Sequence, residues 1–84
     1  MPYIKQIDRK EIEELLYKLP LINNPGSLNF AFTILCKQYI LENGEIYKAY
    51  NDILGALEGC KLELYRAKIA PYEDKKKEEN GGVY

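Results

Sequence analysis

The chain has 84 residues, a net charge of −1 and no histidine, and its acidic and basic residues are interspersed. This length allows one domain with a modest core, so an additional stabiliser is expected, such as a disulfide, a metal or a second subunit. The nearly balanced charge argues against binding to duplex nucleic acid, which requires a basic face.

The two cysteines, Cys36 and Cys60, do not form a CxxC motif. A zinc site needs four ligands drawn largely from cysteine and histidine, so the sequence predicts no metal site. Both cysteines lie inside helical patterns and are interpreted as small buried hydrophobes, with a single disulfide as the alternative. A second subunit is therefore the expected stabiliser.

The sequence predicts a soluble, cytoplasmic protein with no membrane partner. Its first residues contain no apolar signal segment, and no apolar run reaches the roughly 20 residues that a membrane-spanning helix requires. No glycine-rich phosphate loop follows a strand pattern, so no nucleotide cofactor is expected.

The first predicted helix begins at Asp8 and is stopped by Pro20. Asp8 and Glu11 have the spacing of a capping box, and Ile7 and Ile12 occupy the two positions of a hydrophobic staple. Apolar residues then recur with helical spacing, at Ile12, Leu15, Leu16 and Leu19. The pattern predicts a short amphipathic helix.

The second predicted helix covers residues 28–41 and is apolar on most sides. Its N-cap is Ser27, with Asn24-Pro25 as an alternative start, and Asn43-Gly44 ends it. One apolar stripe consists of Leu28, Ala31, Phe32, Leu35 and Tyr39, and another of Phe30, Ile34 and Leu41. A helix that is apolar nearly all round is buried on more than one side, so one side is expected to face a second subunit.

The third predicted helix is the longest, covering residues 46–70, and Pro71 is expected to close it. A coiled-coil-like seam is formed by Ile53, Leu57, Cys60, Leu64 and Ala67, and Tyr47, Tyr50 and Leu54 widen it near its start. Gly55 and Gly59 sit four residues apart, which indicates close approach of a ligand or another backbone. They are therefore candidate ligand-binding residues, with a close crossing of the second helix as the alternative.

These elements predict an all-α fold, with a helical domain at residues 1–70 and a charged C-terminal tail at residues 71–84. The second and third helices are expected to form an antiparallel hairpin after the short first helix. Copies of the chain are expected to assemble into an oligomeric helical bundle, from a dimer up to a hexamer. The tail is interpreted as a solvated tail or a frayed helix. The alternative architecture, a helix-turn-helix module, would need a basic recognition helix.

The residue inventory predicts that the protein is not an enzyme. Without histidine, neither a Ser-His-Asp nor a Cys-His arrangement can form. The acidic residues do not have the Glu-x-x-His spacing of helix-bundle metal sites. We therefore expect no catalytic residue and no cofactor.

A cationic and aromatic strip is predicted on the third helix. Lys61, Tyr65 and Lys68 recur at spacings of four and three, and Arg66 lies one step around. Cations that grip phosphate, beside a ring that stacks on a base, are typical of a site for a small anionic nucleotide. The alternative is a solvated face in which Glu58 pairs with Lys61.

Several segments resemble a short, uncharacterised family found in phages and bacteria. They are PYIKQ at residues 2–6, LNF at 28–30, LEGCKLELYR at 57–66, APYEDKK at 70–76 and ENG at 79–81. The resemblance covers nearly the whole chain and implies that the charged tail belongs to the protein. If the chain is phage-encoded, its location is the cytoplasm of the host cell.

The segment YRAKIAP at residues 65–71 resembles the end of the last helix in the phage anti-CBASS sponge proteins. Those are small helical oligomers that sequester cyclic oligonucleotide signals without cleaving them. The resemblance implies a sponge for a small nucleotide immune signal, which counters host anti-phage defence, with Arg66 as a ligand residue. The alternative is a helical protein–protein interaction module, an inhibitor or adaptor that acts as a homo-oligomer without a small ligand.

Overall fold

The computed structural model describes residues 4–84, and all regular secondary structure in that part of the chain is helical. In chain order the elements are α1 (Gln6–Leu16), α2 (Pro25–Asn43), α3 (Tyr47–Leu64), a five-residue π-helical segment called here the π-turn (Tyr65–Ile69), and α4 (Ala70–Asn80). The all-α prediction is therefore confirmed. The chain divides into two compact units between Glu45 and Ile46. Pro2 and Tyr3, which belong to the first family motif, lie outside the described residues.

The α1 helix begins before the predicted start at Asp8. The Asp8 N–H donates to the Lys5 carbonyl at 2.9 Å, so Asp8 already lies in the first turn. Lys5 is the N-cap and its side chain makes no capping hydrogen bond. The capping box predicted for Asp8 and Glu11 is therefore wrong, although the Asp8 carboxylate still lies near the positive end of the helix dipole.

The α2 helix begins at the alternative start that the sequence offered. Asn24 is the N-cap, and its Oδ1 accepts a hydrogen bond from the Ser27 N–H at 2.8 Å, while Pro25 is the first helical residue. At the other end, Gly44 has a φ of +89° and its N–H donates to the Ile40 carbonyl at 2.7 Å. The predicted glycine stop of the second helix is therefore confirmed.

Helical structure continues from α3 through Pro71, so the prediction that Pro71 closes the third helix is wrong. Proline has no N–H, and in a regular α-helix its ring clashes with the carbonyl four residues earlier, here that of Ala67. The π-turn widens the backbone at this point, and the Ala70 N–H donates to the Tyr65 carbonyl five residues earlier. The wider turn relieves the clash and lets α4 follow α3 directly.

The charged tail forms most of α4, which is exposed along its length. The Lys76 ammonium lies 5.7 Å from the centre of the Tyr72 ring and 3.4 Å from a Glu79 carboxylate oxygen. Such contacts between residues three or four positions apart stabilise a polar helix by a few tenths of a kcal/mol each. Gly81, with a φ of +81°, follows the last residue of α4. The tail is therefore helical as far as Asn80.

Candidate functional site

Large apolar side chains are exposed along α1, α2 and α3. On α2 they are Leu28, Phe30, Phe32, Ile34, Leu35, Tyr39 and Leu41, and on α3 they are Tyr47, Tyr50, Leu54, Leu57, Leu62 and Leu64. Among residues 4–84, the apolar side chain that is buried is that of Ala49, at 1% exposure. Apolar surface of this extent is typical of a site that binds another protein surface.

Lys61, from the predicted strip, lies in the last turn of α3 and is paired within its own helix. Its ammonium is 3.3 Å from a Glu58 carboxylate oxygen, and the two side chains are 73% and 56% exposed. An exposed pair at this spacing contributes only a few tenths of a kcal/mol. It nevertheless gives the Lys61 charge a local partner.

Tyr65 begins the π-turn, and its hydroxyl donates to a Glu73 carboxylate oxygen at 3.1 Å. The hydrogen bond that Tyr65 donates to Glu73, together with the negative charge of that carboxylate, raises the pKa of Tyr65 above its ordinary value. The extra residue of the π-turn explains the contact. It places Glu73 about where the residue seven positions after Tyr65 would lie in a regular helix, which is nearly two full turns ahead on the same side.

Glu73 is therefore a partner of Tyr65 that the sequence interpretation missed. In a regular helix, residues eight positions apart lie about 80° apart around the axis, so periodicity alone does not bring them together. The available signal was Pro71, because a proline inside a continuing helix requires a distorted turn before it. The Glu73 carboxylate also puts negative charge beside the ring that was predicted to stack on a base.

Arg66 and Lys68 both lie in the π-turn and are exposed. Within residues 4–84, no hydrogen bond or ion pair engages the charged group of either side chain. Arg66 follows Lys61 by five residues, which is about 140° around a helix. The helix therefore directs Arg66 and Lys61 to different sides, and Arg66 is available to bind an anion independently of Lys61.

The two glycines of the predicted close-approach face differ in their surroundings. Gly59 is buried, whereas a Cβ placed on Gly55 would meet no atom of the described chain within 4 Å. Within residues 4–84, the space beside the Gly55 backbone is therefore open.

Cys36 is half-buried, Cys60 is exposed, and both are free thiols. Interpreting Cys60 as a buried hydrophobe is therefore wrong. In the described part of the chain, no group of three or more cysteine, aspartate or glutamate residues is placed to hold a metal ion. No helix between residues 4 and 84 has the length and apolar character needed to cross a membrane.

A family model described as Domain of unknown function (DUF6899) matches residues 1–83. All the segments that carried the family resemblance fall inside the matched region. No curated protein and no solved structure matches the chain. The comparisons thus support the family resemblance, and they give no support to the likeness with the anti-CBASS sponge proteins.

Proposed function

The chain belongs to the DUF6899 family, and from the geometry of its helices we propose that it is a non-catalytic binding protein that assembles with copies of itself. The observation that carries this proposal is the exposed apolar surface of α2 and α3. Phe30 is 65% exposed and Leu41 is 84% exposed, whereas the apolar side chain that is buried within residues 4–84, that of Ala49, is small. Burying such side chains in an assembly would contribute about 25 cal/mol for each Å² removed from water.

Helix length supports the same proposal. The α2 and α3 helices have 19 and 18 residues, and most of the stability of helices in proteins comes from packing of an apolar face and not from intrinsic helix propensity. They need packing of an apolar face, which a small scaffold often obtains from a second subunit. We therefore propose that α2 and α3 pair as an antiparallel hairpin and that copies of the hairpin form a helical bundle, from a dimer up to a hexamer.

For the ligand, we propose a small anionic nucleotide, most specifically a cyclic oligonucleotide of the kind that the sponge resemblance implies. The supporting feature is the π-turn, which carries the exposed side chains of Arg66 and Lys68, neither of which has a hydrogen bond or ion pair of its charged group within residues 4–84. A planar guanidinium suits phosphate because it donates two parallel hydrogen bonds. Assembly with rotational symmetry would bring several copies of Arg66 to one ligand.

The other two members of the strip contribute differently. Lys61 is held by Glu58, so it would have to exchange this partner to bind a phosphate, whereas the Tyr65 ring can stack on a base while its hydroxyl stays bonded to Glu73. Arg66 therefore carries the main phosphate contact in this proposal. Sequestration of the intact ligand would counter a host immune signal without any chemical step.

Calorimetry with cyclic dinucleotides, cyclic trinucleotides and cyclic ADP-ribose tests the ligand proposal. Loss of a charged hydrogen bond costs about 1.5–3 kcal/mol, so Arg66→Ala should weaken binding roughly 10- to 150-fold. The matched control is Arg9→Ala, because Arg9 is an exposed arginine on α1, and its Nε donates to the Ile4 carbonyl. An unchanged affinity in Arg66→Ala, or no wild-type binding tighter than about 10 μM, would refute the ligand assignment.

A second candidate function is a protein–protein module that docks an apolar helical surface on a host protein. The observation that favours it is the exposure of Phe30 and Leu41 on α2. This candidate replaces the first if the homo-oligomer forms, no nucleotide binds, and Leu41→Asp abolishes a host contact that Arg66→Ala retains.

A further inference from the structure

The Glu73 carboxylate on α4 can accept further hydrogen bonds. Its Oε2 accepts one from the Tyr65 hydroxyl at 3.1 Å, and within residues 4–84 no ion pair and no further hydrogen bond engages this carboxylate. An ionised carboxylate offers about four lone-pair positions and no donor. Glu73 is exposed, so both of its oxygens keep acceptor positions that a ligand can reach.

Tyr65 places these acceptor positions beside a flat ring. The hydrogen bond holds the carboxylate at the hydroxyl end of the ring, and Tyr65 is 47% exposed. The two side chains lie on one side of the helix because the π-turn inserts a residue between them. A base that stacks on the ring with its edge toward the hydroxyl would therefore meet the carboxylate.

We propose that Glu73 is the residue that reads the base in the anion site at the π-turn, and that it selects guanine. This inference rests on the proposed function and names the nucleotide that the site would take. Bases recognised outside a duplex are read by hydrogen bonds to their Watson–Crick edges. In guanine that edge carries two adjacent donors, the N1–H and the 2-amino group, which match a carboxylate in two parallel hydrogen bonds.

The same carboxylate disfavours the other bases. On the Watson–Crick edge, adenine and cytosine each present an amino donor next to a ring nitrogen that accepts, and uracil presents one N–H between two carbonyl groups. A carboxylate only accepts, so with these bases it makes one hydrogen bond and faces a lone pair with its other oxygen. A site whose polar group is left unpaired by the wrong ligand rejects that ligand strongly.

The charges at the π-turn separate the base from the phosphate. The Glu73 carboxylate repels phosphate, because like charges brought together oppose binding. Arg66 is the next residue after Tyr65, which is about 100° around a regular helix and a little less in the wider π-turn. Guanine at Glu73 and phosphate at Arg66 thus occupy different positions, each beside a group of suitable charge.

Calorimetry with three matched ligands tests the choice of base. The ligands are cyclic di-GMP, cyclic di-AMP and cyclic di-IMP, whose base keeps the N1–H of guanine and lacks the 2-amino group. The wild type should bind cyclic di-GMP at least about 10-fold more tightly than cyclic di-AMP, because a charged hydrogen bond changes affinity roughly 10- to 150-fold. Cyclic di-IMP should bind with an affinity between the two.

Glu73→Gln tests the residue. Its affinity for cyclic di-GMP should fall roughly 10- to 150-fold, because the glutamine amide sets a donor against one of the two guanine donors. The preference should move toward cyclic di-AMP, since an amide pairs one donor and one acceptor with adenine. The matched control is Glu78→Gln, which changes another exposed glutamate of α4 and should keep the wild-type preference.

The outcomes separate this inference from the proposed function. A wild type that binds nucleotides through Arg66 without preferring cyclic di-GMP would leave the anion site in place and refute the choice of guanine. A Glu73→Gln variant that weakens the guanine and adenine ligands equally would show that Glu73 does not read the base. If no nucleotide binds the wild type, the proposed ligand and the choice of base both fail.

Discussion

Gly44→Ala should destabilise the protein by about 1–3 kcal/mol, because the backbone at this residue lies in a region that only glycine occupies without strain. Gly44 has a φ of +89° and a ψ of 159°, and a Cβ added there would meet nothing within 4 Å. The expected loss of stability therefore comes from backbone strain and not from a steric clash of the added Cβ. Urea denaturation at a fixed protein concentration measures it, since the stability of an assembly depends on concentration.

Gly55→Ala is the matched control and should have the opposite sign. Gly55 lies inside α3 with ordinary helical backbone, and a Cβ there meets no atom of the described chain within 4 Å. Alanine should therefore stabilise the helix by up to about 1 kcal/mol. If Gly55→Ala is instead destabilising, a second copy or a ligand approaches this glycine, as the paired-glycine pattern first indicated.

Pro71→Ala should stabilise the chain by about 1–3 kcal/mol and convert the π-turn into regular α-helix. Alanine supplies the missing N–H and removes the ring that clashes with the Ala67 carbonyl. In the regular helix, Glu73 turns away from Tyr65 and the hydrogen bond between them is lost. Denaturation measures the gain in stability, and spectrophotometric titration measures whether the pKa of Tyr65 is still raised.

The contact with Glu73 predicts in which direction the pKa of Tyr65 changes. Glu73 raises the pKa of Tyr65 in the folded chain, so this contact stabilises the fold below the ordinary tyrosine pKa and is lost as the pH rises through the raised one. In Pro71→Ala the Tyr65 pKa should fall back toward its ordinary value, as it should in Glu73→Gln. Subtracting the titration of a Tyr65→Phe chain isolates this phenol from the other tyrosines. A Tyr65 pKa that stays raised in Pro71→Ala would show that the π-turn does not depend on the proline.

Local chemistry made the ends of α2 predictable. Asn24-Pro25 and the glycine that follows Asn43 act through their own side chain or backbone, and the structure uses both. The start of α1 was predicted too late because Asp8 suits the first turn of a helix as well as its cap. The presence of an aspartate at position 8 therefore did not determine where α1 begins.

Periodicity was reliable for contacts within one regular helix and failed at the π-turn. The pair between Glu58 and Lys61 follows from a spacing of three and is present. The contact between Tyr65 and Glu73 requires an extra residue in the π-turn, and a regular helical period does not predict such an insertion. The direction of Arg66 from the helix axis could be predicted from the rotation of 100° per residue. That no partner engages its guanidinium within residues 4–84 could be seen only in the structure.

The exposed side of α3 was also only partly predictable. Its apolar positions include two overlapping series with steps of three and four, one through Ile53 and the other through Leu54. The two series share Leu57 and Leu64, and they differ in burial at Ile53, which is half-buried, and Leu54, which is exposed. Spacing alone therefore does not select the face of α3 that would contact a partner.

The most direct test of self-assembly is the mass of the wild-type protein in solution. The chain has a mass of 9.8 kDa. Light scattering coupled to size-exclusion chromatography at micromolar concentration should give an integer multiple of that mass, from two to six copies. A mass of one chain across the micromolar range would contradict the account, because the exposed apolar side chains of α2 and α3 would then not be covered by a second copy.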